Sequence, residues 1–91
     1  MIYLFVRQTV ADYARWKEGF DIYLAARQAG GATHEAIMLR RVDNPNEIVV
    51  VLGWCDLKQA RLFMQSVSWQ MALQEMGVVG VPELCFLEGV E

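Results

Sequence analysis

The chain has little of what most catalytic and metal-binding signatures are built from. Histidine occurs once, at His34, and cysteine twice, at Cys55 and Cys85. The two cysteines form no CxxC motif. With one histidine they fall short of the roughly four ligands of a zinc site. Reduced thiols are the expectation for a cytoplasmic chain. Basic runs are absent and the net charge is −3, which argues against a non-specific nucleic-acid or anionic-membrane surface. No apolar run approaches the roughly 20 residues of a membrane span. Met1 to Arg7 carries neither a basic leader nor a signal-length apolar core. The expected location is therefore the cytoplasm. Asparagine is confined to Asn44 and Asn46, and there is no internal repeat.

Hydrophobic residues are plentiful, at 55%, against 21% charged. In one domain spanning 1–91, that balance fits a chain that buries surface in an oligomer as well as in its own core.

The stretch from Val42 to Asp56 organises the rest. Asp43-Asn44-Pro45-Asn46 is dense in turn formers. Ile48 to Leu52 is an unbroken β-branched and aliphatic strand. Glu35 to Arg41 is a second strand, and the two predict a hairpin. With Arg41 opposite Ile48, one face carries Ile37, Leu39, Ile48, Val50, Leu52 and Trp54. The other carries His34, Ala36, Met38, Arg40, Val49, Val51, Gly53 and Cys55. Both faces are apolar at the centre, unlike an antiparallel sheet with one wet side. The chain's helices can cover one face. A second copy of the chain is the expected cover for the other.

Along the chain, Ile2–Arg7 reads as a first strand. Thr9 reads as a helix cap with Asp12 as its acidic partner. The first helix is expected to run to about Gln28, with Tyr13, Trp16, Phe20, Tyr23 and Leu24 at helical spacing. Gly30-Gly31 ends it. Asp56 caps a second helix, broken near Ser66 and stopped by Gly77. Gly80-Val81-Pro82 leads into a last strand over 83–88. The order β-α-β-β-α-β predicts a ferredoxin-like α+β domain with an antiparallel four-stranded sheet in the order 4-1-3-2.

Three candidate groups follow. His34, opposite Cys55 in this register, has the residue type of a general base for a phenol or an enolisable carbonyl. The alternative is a surface or interface histidine. Arg7 and Arg40 fall at the other end of the same face, near Glu47 and Glu83. They read either as anion holders or as partners of those carboxylates. Tyr3, Phe5, Met38 and Trp54 are candidate apolar walls for a ligand, or core.

The run Val10-x-Asp12-Tyr13-x-x-Trp16-Lys17-x-x-Phe20-Asp21, with Asp43-Asn44-Pro45-Asn46-Glu47, Trp54-x-Asp56 and Gly77-Val78-x-Gly80-x-Pro82, resembles small proteins of the dimeric α+β barrel superfamily. These are the antibiotic-biosynthesis-monooxygenase-like or cyclase-like proteins. The resemblance implies a homodimer whose two sheets face each other. It also implies a pocket between sheet and helices or in the barrel mouth. The implied chemistry is oxygenation of a small aromatic or polyketide-like molecule without a cofactor. Relatives that degrade haem use an Asn, Trp, His set. Here Asn44 and Asn46 sit in the hairpin turn, far from His34, which disfavours that activity. A non-catalytic small-molecule-binding or interaction protein is the alternative function.

Overall fold

In the computed structural model, which describes residues 1–90, the elements run β1 (Ile2–Val10), α1 (Tyr13–Ile22), α2 (Leu24–Ala29), β2 (Ala32–Arg41), β3 (Asn44–Trp54), α3 (Leu57–Gln65), α4 (Val67–Glu75) and β4 (Val78–Glu88). The strands form one antiparallel sheet in the order β2-β3-β1-β4. This is the ferredoxin-like arrangement expected from the sequence.

Strand alternation explains which side the helices cover. Leu4, Val6, Gln8 and Val10 of β1, with Ile48, Val50, Leu52 and Trp54 of β3, are all buried. They meet Trp16, Phe20, Ala60, Met64, Trp69, Ala72 and Met76 of the helical layer or its ends. The intervening residues Tyr3, Phe5, Arg7, Val49 and Val51 point to the other face and remain partly or wholly exposed.

Helix boundaries follow from local chemistry. Asp12 caps α1 itself, its Oδ1 accepting the Ala14 N–H at 3.0 Å. Thr9 is not the cap, because β1 continues through Thr9 and Val10, which pair with Val79 and Val78. The first helical segment bends at Tyr23 and so becomes two helices. Asp56 Oδ1 accepts the Gln59 N–H at 2.7 Å and starts α3. Ser66 closes α3 and opens α4, its hydroxyl accepting the Trp69 N–H. Gly77, at φ +79°, turns the chain from α4 into β4 in a conformation L residues rarely adopt.

The hairpin register differs from expectation by one residue. The turn is the pair Val42-Asp43, and Asn44 already pairs with Arg41. Pro45, Asn46 and Glu47 then bulge from the β2–β3 ladder, and pairing resumes at Arg40 with Ile48. Pro45 has no N–H to give to a ladder, and Asn44 Oδ1 accepts the Asn46 N–H locally at 3.1 Å. An odd shift exchanges the faces of a whole strand. Thus Ile37 and Leu39 lie with Val51 and Val49 on the open face. Ala36, Met38 and Arg40 lie with Leu52, Val50 and Ile48 on the helix side.

A second irregularity falls between Ala32 and Ala36, so His34 is not opposite Cys55. The Cys55 N–H instead donates to Gly31 O at 2.8 Å. Gly53 sits under this bulge; a Cβ there would run into Thr33 Oγ1.

Candidate functional site: a donor-rich hollow between sheet and helices

The helix-covered side of the sheet is not fully filled. A cavity of about 130 Å³ lies between β1, β3 and β4 and the helices. Its walls are Leu4, Val6, Val50 and Leu52 from the sheet, and Trp16, Phe20, Phe63, Met64, Trp69 and Met76 opposite, with Trp54 at the end of β3. A ~150 Å³ apolar cavity in another protein holds benzene, so the hollow is the size of one ring. Its exposed lining residues, Gln70 of α4 and Val81 and Leu84 of β4, mark the mouth. Beside the mouth β4 carries two extra residues against β1, between the pairs Arg7–Glu83 and Thr9–Val79, with Gly80 at φ +73°.

Rings pack closely around the hollow. Trp16 stacks on Phe20 at 4.9 Å between centroids, and Phe63 bridges Trp54 and Trp69 at 5.3 and 5.2 Å. All three tryptophans of the chain line the cavity. Their indole N–H groups are buried, as is Gln8 Oε1, and none has a hydrogen-bond partner among the described residues. Leaving one such group unpaired costs about 1–3 kcal/mol. All three belong to wall residues of one hollow, yet each indole nitrogen is enclosed by the surrounding packing and not open to the space itself.

Arg27 of α2 is the one ionisable side chain among the lining residues. It is 3% exposed. Its Nη1 donates to Phe20 O at 2.7 Å, and its guanidinium lies 3.8 Å from the centroid of the Phe20 ring. Burial lowers its pKa to about 10, with nearby Asp21 opposing the shift, so it stays cationic at neutral pH. The hollow thus offers a ring-lined space with one positive charge in its wall, and three unpaired indole N–H groups lie packed within those walls. It can hold a ring and favour negative charge on it. Among the described residues no carboxylate or imidazole lines it to take a proton.

The residues singled out from the sequence do not converge. Trp54 lines the hollow. His34 is exposed and borders a separate depression with Thr33 and Glu35, whose other wall is formed by Arg27 and Leu52. Met38 and Arg40 lie on the helix side but outside the hollow, the Arg40 guanidinium 4.4 Å from the Tyr13 ring centroid. Tyr3, Phe5 and Arg7 are on the open face. There the Tyr3 hydroxyl donates to Glu35 Oε2 at 2.9 Å, and that carboxylate raises the phenol's pKa. Arg7 Nε donates to Glu47 Oε1 at 2.7 Å and Arg41 Nη1 to Glu47 Oε2 at 2.8 Å, which holds the Glu47 carboxyl below its ordinary range. The carboxylate-pairing alternative therefore describes Arg7, and Arg41 takes the place expected for Arg40.

Arg27 and Gln8 were not among the sequence candidates. Both had a signal. Arg27 continues the 16, 20, 23, 27 spacing of the apolar stripe, and Gln8 alternates with Val6 and Val10 on the buried side of β1.

Neither a protein-family model nor a curated protein matches this sequence. Solved structures do. A Bordetella bronchiseptica protein named as an antibiotic biosynthesis monooxygenase superposes with a TM-score of 0.81 at 17% identity, covering 99% of this chain and 97% of that one. SnoaB from Streptomyces nogalater, described as a cofactor-independent oxygenase, gives 0.76 at 19% identity, with 99% and 93% covered. A Caulobacter crescentus protein named like the first gives 0.75 at 18%, with 99% and 90% covered. At these identities the likeness is one of fold. The chain has the ferredoxin-like α+β fold of the antibiotic-biosynthesis-monooxygenase-like structures.

Proposed function

We propose that the protein is a cofactor-independent oxygenase of the monooxygenase-like group, acting on a small ring-bearing molecule held in the hollow between sheet and helices. The observation that carries this reading is a ring-sized apolar cavity whose three tryptophan wall residues hold unpaired indole N–H groups, which a small turn of each ring would present to a ligand. Buried donors that wait for developing negative charge favour the anion of a phenol or enol. The proton then leaves to water at the mouth beside Gln70 and Val81. Dioxygen is the oxidant. A methylene next to a ring and a carbonyl becomes a carbonyl; one oxygen atom enters the product and the other leaves as water with both hydrogens. The description of SnoaB supports this class of chemistry through the shared fold.

The same reading takes the protein as a cytoplasmic homodimer formed through the open face of the sheet. Ile37, Leu39 and Leu87 are 56%, 54% and 43% exposed there, in register with Val51, Val49 and Tyr3. Burial of such a row is favourable at ~25 cal/mol per Å². Cys55 and Cys85 are free and exposed, which suits a reducing compartment.

Incubation with 4-hydroxyphenylacetone, a single-ring phenol whose methylene lies between the ring and a carbonyl, under oxygen tests the activity. The expected result is one dioxygen consumed per carbonyl formed, weakened about tenfold or more by Trp69→Phe. Absence of oxygen uptake overturns it. The second reading, a binding protein without catalysis, draws support from the lack of a base among the lining residues. Ring binding without oxygen uptake favours that reading.

A further inference from the structure

Arg27 carries a charge that the fold uses only in part: its guanidinium stacks on the Phe20 ring and donates to Phe20 O, and Asp21 favours the cation from a distance. A guanidinium has five N–H donors in a planar fork. Only one of them, on Nη1, is taken, by Phe20 O, and no carboxylate lies within ion-pair distance among the described residues. Glu35, on the depression behind Arg27, accepts from Tyr3 instead. Capping one carbonyl near the end of α1 does not require a cation at 3% exposure. An unpaired buried charge is among the more costly things a small core can contain. Its place in the wall of the hollow, on the side that borders β2 while the mouth lies at β4, gives the cost a use. The aromatic rings at its sides fit a planar ligand, and the free edge of the fork fits two oxygens at that ligand's end.

We propose that Arg27 anchors the carboxylate of a single-ring aromatic acid, which enters at β4 with its acid group innermost. The ring lies among Trp16, Trp54 and Trp69. The acidic group is a specificity element, separate from the ring carbon or hydroxyl on which chemistry occurs. This inference rests on the hollow being the ligand site, as proposed above.

The three indole N–H resonances are a direct readout, because every tryptophan of the chain lines the cavity. The probes are phenylacetate and its neutral isostere phenylacetamide, titrated into the full chain and followed by ¹⁵N–¹H spectra. The expected result is that both move the indole peaks, with phenylacetate binding about tenfold or more tightly, the effect of one charge-assisted hydrogen bond. Arg27→Met removes that preference, so that phenylacetate binds no more tightly than phenylacetamide in the variant. Arg27→Lys keeps part of the preference, since it retains charge without the fork. Equal affinities in the parent protein overturn the role of Arg27 while leaving the hollow as a ring site. Unmoved indole peaks with both probes overturn the hollow itself. A preference for phenylacetate that survives in Arg27→Met also overturns the proposal. Should Arg27→Met fail to fold, the parent comparison and Arg27→Lys decide.

Discussion

The two faces of the sheet are built from similar residues and come to opposite ends. On the helix side, Leu4, Val6, Val50 and Leu52 are buried, yet the layer above them leaves a ring-sized space whose tryptophan walls hold unpaired donors. On the other side, Phe5, Val49, Val51, Ile37 and Leu39 form an apolar surface with nothing over it, edged by the Arg7–Glu47–Arg41 charges. One face is covered and hollow; the other is uncovered and continuous. The difference teaches that apolar character alone does not locate a site. A continuous apolar surface is suited to a partner of the same kind, whereas a ring-lined hollow with a cation in its wall is suited to a polar ligand.

Five substitutions probe this contrast. The largest effect is expected from Val51→Asp at the centre of the open face. A buried, unpaired carboxylate costs several kcal/mol, so dimer dissociation should rise more than about a hundredfold in sedimentation equilibrium, with the circular dichroism of each chain unchanged. Next, Leu4→Ala on the covered face should lower unfolding free energy by about 2–5 kcal/mol. Leu39→Ala, measured in the monomeric Val51→Asp background, should cost less than about 1 kcal/mol. Similar losses for both would erase the distinction between the faces. Trp54→Phe should leave stability within about 1 kcal/mol, because it deletes a donor that has no partner, while weakening binding of a phenol. The smallest effect is expected at Glu47. Its carboxyl is held low by Arg41 and Arg7, so its contribution is complete above the ordinary carboxylate range and fades as pH falls through it. Glu47→Gln should therefore reduce the melting temperature at neutral pH, and the difference from the parent should begin to shrink as pH falls through the ordinary carboxylate range and vanish only below the depressed pKa of the folded protein.

Most of the architecture could be read from the residues. The run Ile48–Leu52 and the caps at Asp56 and Ser66 specify β3, α3 and α4 through local chemistry, and the β3 faces follow from alternation. The pairing of β2 was not legible in the same way. Its face assignment depends on whether the bulge after Asn44 is odd or even, and a proline among asparagines is compatible with both. That single residue moved Met38 and Arg40 to the helix side and Ile37 and Leu39 to the open one. The second bulge, under which Gly53 makes room for Thr33, carried His34 away from Cys55. The hollow was harder still to see. A tryptophan in a sequence does not reveal whether its N–H finds a partner, and an arginine on an apolar stripe reads as a surface residue until the helix around it is packed.

The most direct measurement is a crystal structure of the protein soaked with phenol. Density for the ring is expected among Trp16, Trp54 and Trp69, with the phenol oxygen within hydrogen-bond distance of at least one indole nitrogen. A ring seated instead against Val49 and Val51, or a hollow that holds ordered water and no ring, would contradict this account of the site.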